Sequence, residues 1–231
     1  MPSLFAQSEI GDLIDKVEKG QRLNFDAGLR MMNSQEILAL GYMANLVRER
    51  KNGSQTYFIV NRPIDYSDVF ASFEDVEKCA TATMVYGDHE SKEERIDRLI
   101  QFRTNQDQTR EFLSFSPLPY YSKNVTLEGT MGVGTTTGFE DLKMLAISRI
   151  LLDNFDHIKA FWMLLGPKLA QASLAFGVDD LDGTVVDEQN SSISGAKPIH
   201  SMNRRALSHL IQKAGREAVE RDTLYRVHKI D

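Results

Sequence analysis

The 231-residue chain has almost no cysteine. Cys79 is the single one, so no intrachain disulfide can form, and this sparing use suits a reducing, cytoplasmic compartment. Basic residues are in deficit: the net charge is −6, which argues against general nucleic-acid binding, because neutralising phosphates needs a basic surface. No apolar run approaches the roughly 18 residues that would suggest a membrane span. The first residues, Met1 to Phe5, lack the basic and apolar regions of a secretory leader. The common catalytic signatures are missing too: there is no G-x-S-x-G elbow, no H-E-x-x-H, no phosphate-binding P-loop and no cysteine pair. The five histidines, at 89, 157, 200, 209 and 228, do not have metal-ligand spacing. Fixed-period repeats and low-complexity tracts are absent as well.

What remains is an amphipathic, mixed pattern with 42% hydrophobic residues, enough to bury an ordinary core. Ile10, Leu13, Ile14 and Val17 predict a first helix ending at Gly20. Asn33 and Glu36 predict the start of a second, carrying Ile37, Leu40, Ala44 and Val47 and stopping at Asn52-Gly53. Thr56–Val60, Ala80–Tyr86 and Glu111–Leu118 read as short strands. Ser91/Glu94 and Thr137/Glu140 are capping boxes, each opening a helix with one apolar face. Ile158–Leu165 reads as a buried strand, and Gly166-Pro167 opens a helix that Gly177 closes. Asn203 begins a last helix with Leu207, Leu210 and Ile211 inward.

Between Val178 and Val186 the chain gives a strand carrying Asp179, Asp180 and Asp182, followed by Gly183-Thr184. Three carboxylates are poor core material unless they face a site. Alternation puts Asp180 and Asp182 on one face and Asp179 on the other. Such a pair suits ribose hydroxyls, an amino group or a divalent ion, and a solvated strand end fits the pattern equally well. Gly132-Val133-Gly134 lacks the continuation of a nucleotide fingerprint and reads as loop.

Several long words in this half, namely Ser148-Arg149, Leu152-Asp153-Asn154, His157-Ile158-Lys159-Ala160, Leu169-Ala170-Gln171, Asp179 to Val186, Gly195-Ala196 and Glu220 to Tyr225, resemble the aminofutalosine synthase family. That family makes aminofutalosine for menaquinone by radical S-adenosylmethionine (SAM) chemistry on a TIM barrel. The resemblance implies that Asn61-Arg62 follows a first barrel strand and that Gly87 to Ser91 is a later strand exit. It places Glu90 near the SAM moiety and the Asp180, Asp182, Thr184 segment on the last strand, facing substrate. It leaves His89 out of register, because Asp88 intervenes, and it finds no histidine near Ser192.

The family's C-x3-C-x2-C loop, which ligates a [4Fe–4S] cluster, has no counterpart here: Phe70 to Cys79 carries one thiol, so no intact cluster site is expected. Only about a dozen residues separate Val69 from the next strand, where a β/α unit takes roughly 30 and a full barrel about 250. The expected fold is therefore α/β: an incomplete (β/α) TIM-type barrel of about five strands over residues 55–231, preceded by a helical segment, 1–54. The expected function is that of a shortened relative without radical activity that retains nucleoside or SAM binding through Glu90, Asp180, Asp182 and Thr184. The alternative is a non-catalytic protein that pairs through an open sheet edge, with itself or an intact homologue. A third reading is an enzyme whose missing units come from another chain.

Overall fold

A computed structural model describes residues 3–60, 81–120, 136–183, 185–186 and 202–227. Thr184, Cys79 and the loop around Gly132 lie outside these residues. After a 3₁₀ turn (Ser3–Phe5) come helices α1 (Gly11–Glu18), α2 (Phe25–Asn33) and α3 (Ile37–Asn52), then strands β1 (Gln55–Phe58) and β2 (Thr81–Tyr86). Helix α4 (Lys92–Thr109), β3 (Ser114–Pro119), α5 (Gly138–Leu151) and β4 (His157–Phe161) follow. The chain continues with α6 (Trp162–Leu165), α7 (Pro167–Ser173), β5 (Asp180–Asp182), β6 (Val185–Val186), β7 (Met202–Asn203), α8 (Arg204–Lys213) and β8 (Glu217–Glu220).

Six strands form one parallel sheet in the order β2-β3-β4-β5-β1-β8, and β6 and β7 pair separately. The expected sheet of about five strands has six among the described residues, the sixth being β8, which the chain lays along β1 after α8. β1 is thus covered on both sides, by β5 and β8, whereas among the described residues β2 has a strand only on its β3 side. β1 and β2 do not pair, so the short interval between them is not closed by bringing those two strands together.

The alternation along the strands sorts the sheet into two unlike faces. Ala82, Met84, Phe115, Ile158, Ala160, Leu181 and Phe58 point into one core shared with the helices. That core also contains Ile10, Leu13, Ile14, Leu40 and Met43, so the three N-terminal helices pack into the same unit as the sheet. The opposite set is mostly polar: Thr81, Thr83, Ser114, Ser116, His157, Lys159, Asp180 and Asp182, with Val85, Leu118 and Phe161 continuing the same alternation. In a closed (β/α) barrel, the sheet face turned away from the helices lines the interior.

Both predicted capping boxes form: Ser91 with Glu94, and Thr137 with Glu140. Three local readings change. Asn33 ends α2, an element the sequence reading passed over, and α2 is capped instead by Asn24, which accepts from Ala27 N–H. Glu36 is taken by the N-terminal turn, accepting from the Ser8 hydroxyl and from Glu9 N–H (3.1 Å). The run Ile158–Leu165 is β4 only as far as Phe161; a one-turn helix then buries Trp162, Met163 and Leu164 before Gly166, at φ +78, redirects the chain.

Gly177 is where α5, α3 and the approach to β5 meet. Its φ is +89, and a Cβ there would lie 2.7 Å from Arg149 Cβ and 2.9 Å from Ala44 Cβ. Gly177→Ala should therefore cost more than about 2 kcal/mol, left-handed strain plus overpacking. Gly20→Ala, at φ +69 with open space around it, should show the strain alone, about 1–2 kcal/mol. Urea unfolding measures both, and equal losses would contradict the packing argument.

Candidate functional site

The site is built along β4 and β5. Their register places Lys159 opposite Asp180 and Phe161 opposite Asp182. Asp179 sits just before β5. It accepts hydrogen bonds from Arg149, from Ile158 N–H (2.8 Å) and from His157 Nδ1 (2.6 Å). The Arg149 guanidinium is fully buried and also donates to the carbonyls of Gly177, Phe155 and Asp156.

Asp180 and Asp182 do share a face, and both meet the same cation. Arg221, immediately after β8, donates to Asp180 through Nε (2.8 Å), and its Nη2 stands 2.6 Å from Asp180 and 3.9 Å from Asp182. Asp180 is fully buried and takes a further bond from the Tyr225 hydroxyl. Asp182 accepts from Lys159 Nζ (3.0 Å) and from Gly183 N–H (2.8 Å), and its side chain keeps 24% of its surface exposed.

The charges follow from these contacts. Burial pulls the Asp182 carboxyl up, but the neighbouring Lys159 and Arg221 outweigh it and hold it below the usual carboxylate range. For Arg221, burial works against the charge, and the Asp180 carboxylate more than restores it. Burial and the charge on Asp180 together push the Tyr225 phenol well above its ordinary value, so Tyr225 is a neutral donor. A carboxylate with a depressed pKa is a weak base at neutral pH. The face is therefore suited to accepting hydrogen bonds rather than to moving protons.

Glu90 lies at the exit of β2, three strands from β5, and is not brought to the aspartates. Its carboxylate accepts from Gly87 N–H and Asp88 N–H and pairs with Arg95 (2.9 Å). Burial alone would raise its pKa, but these backbone donors and Arg95 lower it. Arg95 lies over the Tyr86 ring, and Tyr86 donates to the buried Asp141 (2.8 Å), a carboxyl whose pKa burial raises. His89 is a surface residue, its side chain 95% exposed. Among the described residues no cluster of His, Cys, Asp or Glu is placed to hold a metal ion, and no helix is long and apolar enough to cross a membrane.

Arg221, Tyr225 and Arg149 are the groups that residue-level reading left without roles. His157 and Lys159, alternating with Ile158 and Ala160, fit a half-buried strand. The available signal was charge parity: three aspartates in four residues require cations, and Arg149, Lys159 and Arg221 supply them.

The mixed α/β fold with its parallel sheet is similar to that of known structures. The [FeFe]-hydrogenase maturase HydG from Carboxydothermus hydrogenoformans superposes with a TM-score of 0.57 at 12% identity, over 95% of this chain and 81% of that one. Methylornithine synthase superposes at 0.52 and 11%, over 89% and 97%. Residues 109–231 match the family described as the CofH/MqnC C-terminal region, and the chain belongs to that family.

Aminodeoxyfutalosine synthase of Thermus thermophilus is 44% identical over 146 residues, 63% of this chain and 39% of that protein. Cyclic dehypoxanthine futalosine synthase of Streptomyces coelicolor is 40% identical over 146 residues, 63% and 35%. The 5-amino-6-(D-ribitylamino)uracil--L-tyrosine 4-hydroxyphenyl transferase of Archaeoglobus fulgidus is 42% identical over 148 residues, 64% and 43%. The matched stretch thus spans well under half the length of these relatives.

The depressed pKa of Asp182 fixes a sign. The group stabilises the fold fully above its unfolded value, 3.8, and that contribution is lost as pH falls through the lower folded value. Asp182→Asn should therefore be less stable than the parent at neutral pH, with the gap closing as the solution is taken below about pH 4. Denaturant midpoints across that range provide the check, and a gap that stays constant into acid would contradict the ion pairing.

Proposed function

We propose that this chain is a shortened relative of aminofutalosine synthase that binds a nucleoside, SAM included, on the polar face of its sheet and does not carry out radical cleavage. One observation supports the binding half most strongly. At the C-terminal end of β5, Asp182 presents a partly exposed carboxylate beside Lys159, on the sheet face that would line the interior of a closed barrel. Sites in such folds gather at the C-terminal ends of strands, and a carboxylate fixed by a lysine and a backbone N–H is a ready acceptor for ribose hydroxyls. Glu90, at the exit of β2, is the proposed contact to the more distant part of the ligand. Thr184, next to Gly183, lies outside the described residues.

The chemical half rests on the donor set. A [4Fe–4S] cluster of this family needs three thiolates from one loop, and the chain has one cysteine. The residues present do not fit that group, and no reaction step is assigned through it. After anaerobic reconstitution the protein should retain far fewer than about four irons per chain and should not cleave SAM under reducing conditions. Recovery of a full cluster would overturn this half. For the binding half, adenosine or SAM should raise the melting temperature by linkage, and Asp182→Ala should abolish the rise. Equal shifts in parent and variant would remove Asp182 from the site.

A second reading, self-association through a sheet edge, is favoured by β2. This strand is flanked only by β3 among the described residues, and its Val85 side chain is exposed. Open edges template pairing, although here Arg98 caps the Val85 carbonyl (3.0 Å), one of the devices that blunt an edge. Light scattering at micromolar concentration should give a dimer mass if the edge is used, whereas a clean monomer with a sharp cooperative melt would eliminate this reading.

A further inference from the structure

After β8 the chain turns back over the polar face. Asp222 Oδ1 accepts from Leu224 N–H and Arg226 N–H (both 2.8 Å), Asp222 N–H donates to Arg226 O (3.0 Å), and an antiparallel bridge joins Arg221 to Val227. Within this turn Tyr225 takes φ +59, a region that residues bearing a side chain seldom occupy. Its ring lies flat on His157, with centroids 3.8 Å apart and planes within 3°. The Arg221 guanidinium carbon is 4.2 Å from the same ring centroid. With His157 filling one face at stacking distance, the guanidinium has only the other. Tyr57 closes the edge, its ring 5.9 Å away at 75°. The hydroxyl reaches Asp180.

Each wall of this slot is held by something other than Tyr225. His157 is fixed through Nδ1 by Asp179, and Arg221 by Asp180 and by the Asp222 carbonyl (3.0 Å). The Tyr57 hydroxyl donates to Gln55 (2.8 Å). Two flat cationic or polar-aromatic walls, an edge-on ring and a buried carboxylate acceptor are the parts of a site for a planar ring.

We propose that the slot between His157 and Arg221 is a binding site for a planar ring carrying a hydrogen-bond donor on its rim, and that Tyr225 is its occupant supplied by the same chain. The donor on the ring is read by Asp180, the acceptor at the end of the slot. An external ring enters only when the Arg221–Val227 turn withdraws Tyr225. The slot adjoins Asp182 through Arg221, but the proposal does not rest on nucleoside binding there, because its test uses neither nucleoside nor Asp182.

The test is chemical rescue. Tyr225→Gly empties the slot with a residue that accepts φ +59, and it should melt below the parent protein. Millimolar phenol should restore several degrees to Tyr225→Gly and leave the parent unmoved. Toluene, with the same ring and no hydroxyl, should restore less than half as much. In Tyr225→Gly/Asp180→Asn the advantage of phenol over toluene should disappear. Phenol shifting parent and variant alike, or toluene matching phenol in the single variant, would overturn the proposal. If Tyr225→Gly does not fold unaided, the readout becomes refolding yield: a yield raised by phenol supports the slot, and equal yields with and without phenol refute it.

Discussion

One buried carboxylate, Asp179, fixes the arrangement on which the polar face depends. It has no exposed surface, so its charge is tolerable only if fully paired and hydrogen-bonded. Three groups meet that demand: the Arg149 guanidinium from α5, the Ile158 amide from β4 and the His157 ring. Arg149 completes its own bonding on the carbonyls of Phe155, Asp156 and Gly177, which lie on the two segments leading into β4 and β5. The end of a helix, the start of one strand and the approach to the next are thereby tied to a single point. A buried ion pair of this kind contributes less through net stability than through the cost of every arrangement that breaks it.

The polar face follows from that anchor. Once His157 and Asp179 are set, strand alternation brings Lys159, Asp180 and Asp182 onto the same surface, and β8 delivers Arg221 between the two aspartates. Charges of both signs are matched within a few ångströms. Of the three aspartates, Asp182 is the one with exposed surface. The C-terminal turn then lays Tyr225 over His157 and covers the neighbouring part of the same face. The site is therefore neither an open bowl nor a packed core, but a compensated polar surface with one part covered by the chain's own phenol.

Local signals in the sequence carried much of this. Both capping boxes form as read, because the Ser–Glu and Thr–Glu pairs satisfy their own helix ends without tertiary help. The α/β class was legible from short β-prone runs alternating with amphipathic helices, and its parallel arrangement followed from the family resemblance, whose words fixed the order of the second half. What failed were readings that tertiary contacts decide. Glu36 looks like half of a capping box but is claimed by Ser8. Trp162 to Leu165 is apolar enough for a strand yet coils into a turn of helix, because periodicity cannot separate the two over four residues. β8, with Glu217 and Glu220 at its ends, does not look like a strand and forms because β1 offers a free edge. At the candidate site the aspartates were visible, but their cations were not, since Arg149 and Arg221 are 30 residues before Asp179 and 41 after Asp180 in the chain. Glu90 was carried by the resemblance alone, and its local partners explain why it stands apart.

The most direct test of this account is a double-mutant cycle on Arg149 and Asp179, using Arg149→Met, Asp179→Asn and the pair, with unfolding free energies from urea titration. If Asp179 is the junction that holds the face, the two residues should couple by about 2–3 kcal/mol, the upper range for groups in one buried network. A coupling below about 0.5 kcal/mol, the level at which distant sites simply add, would contradict it.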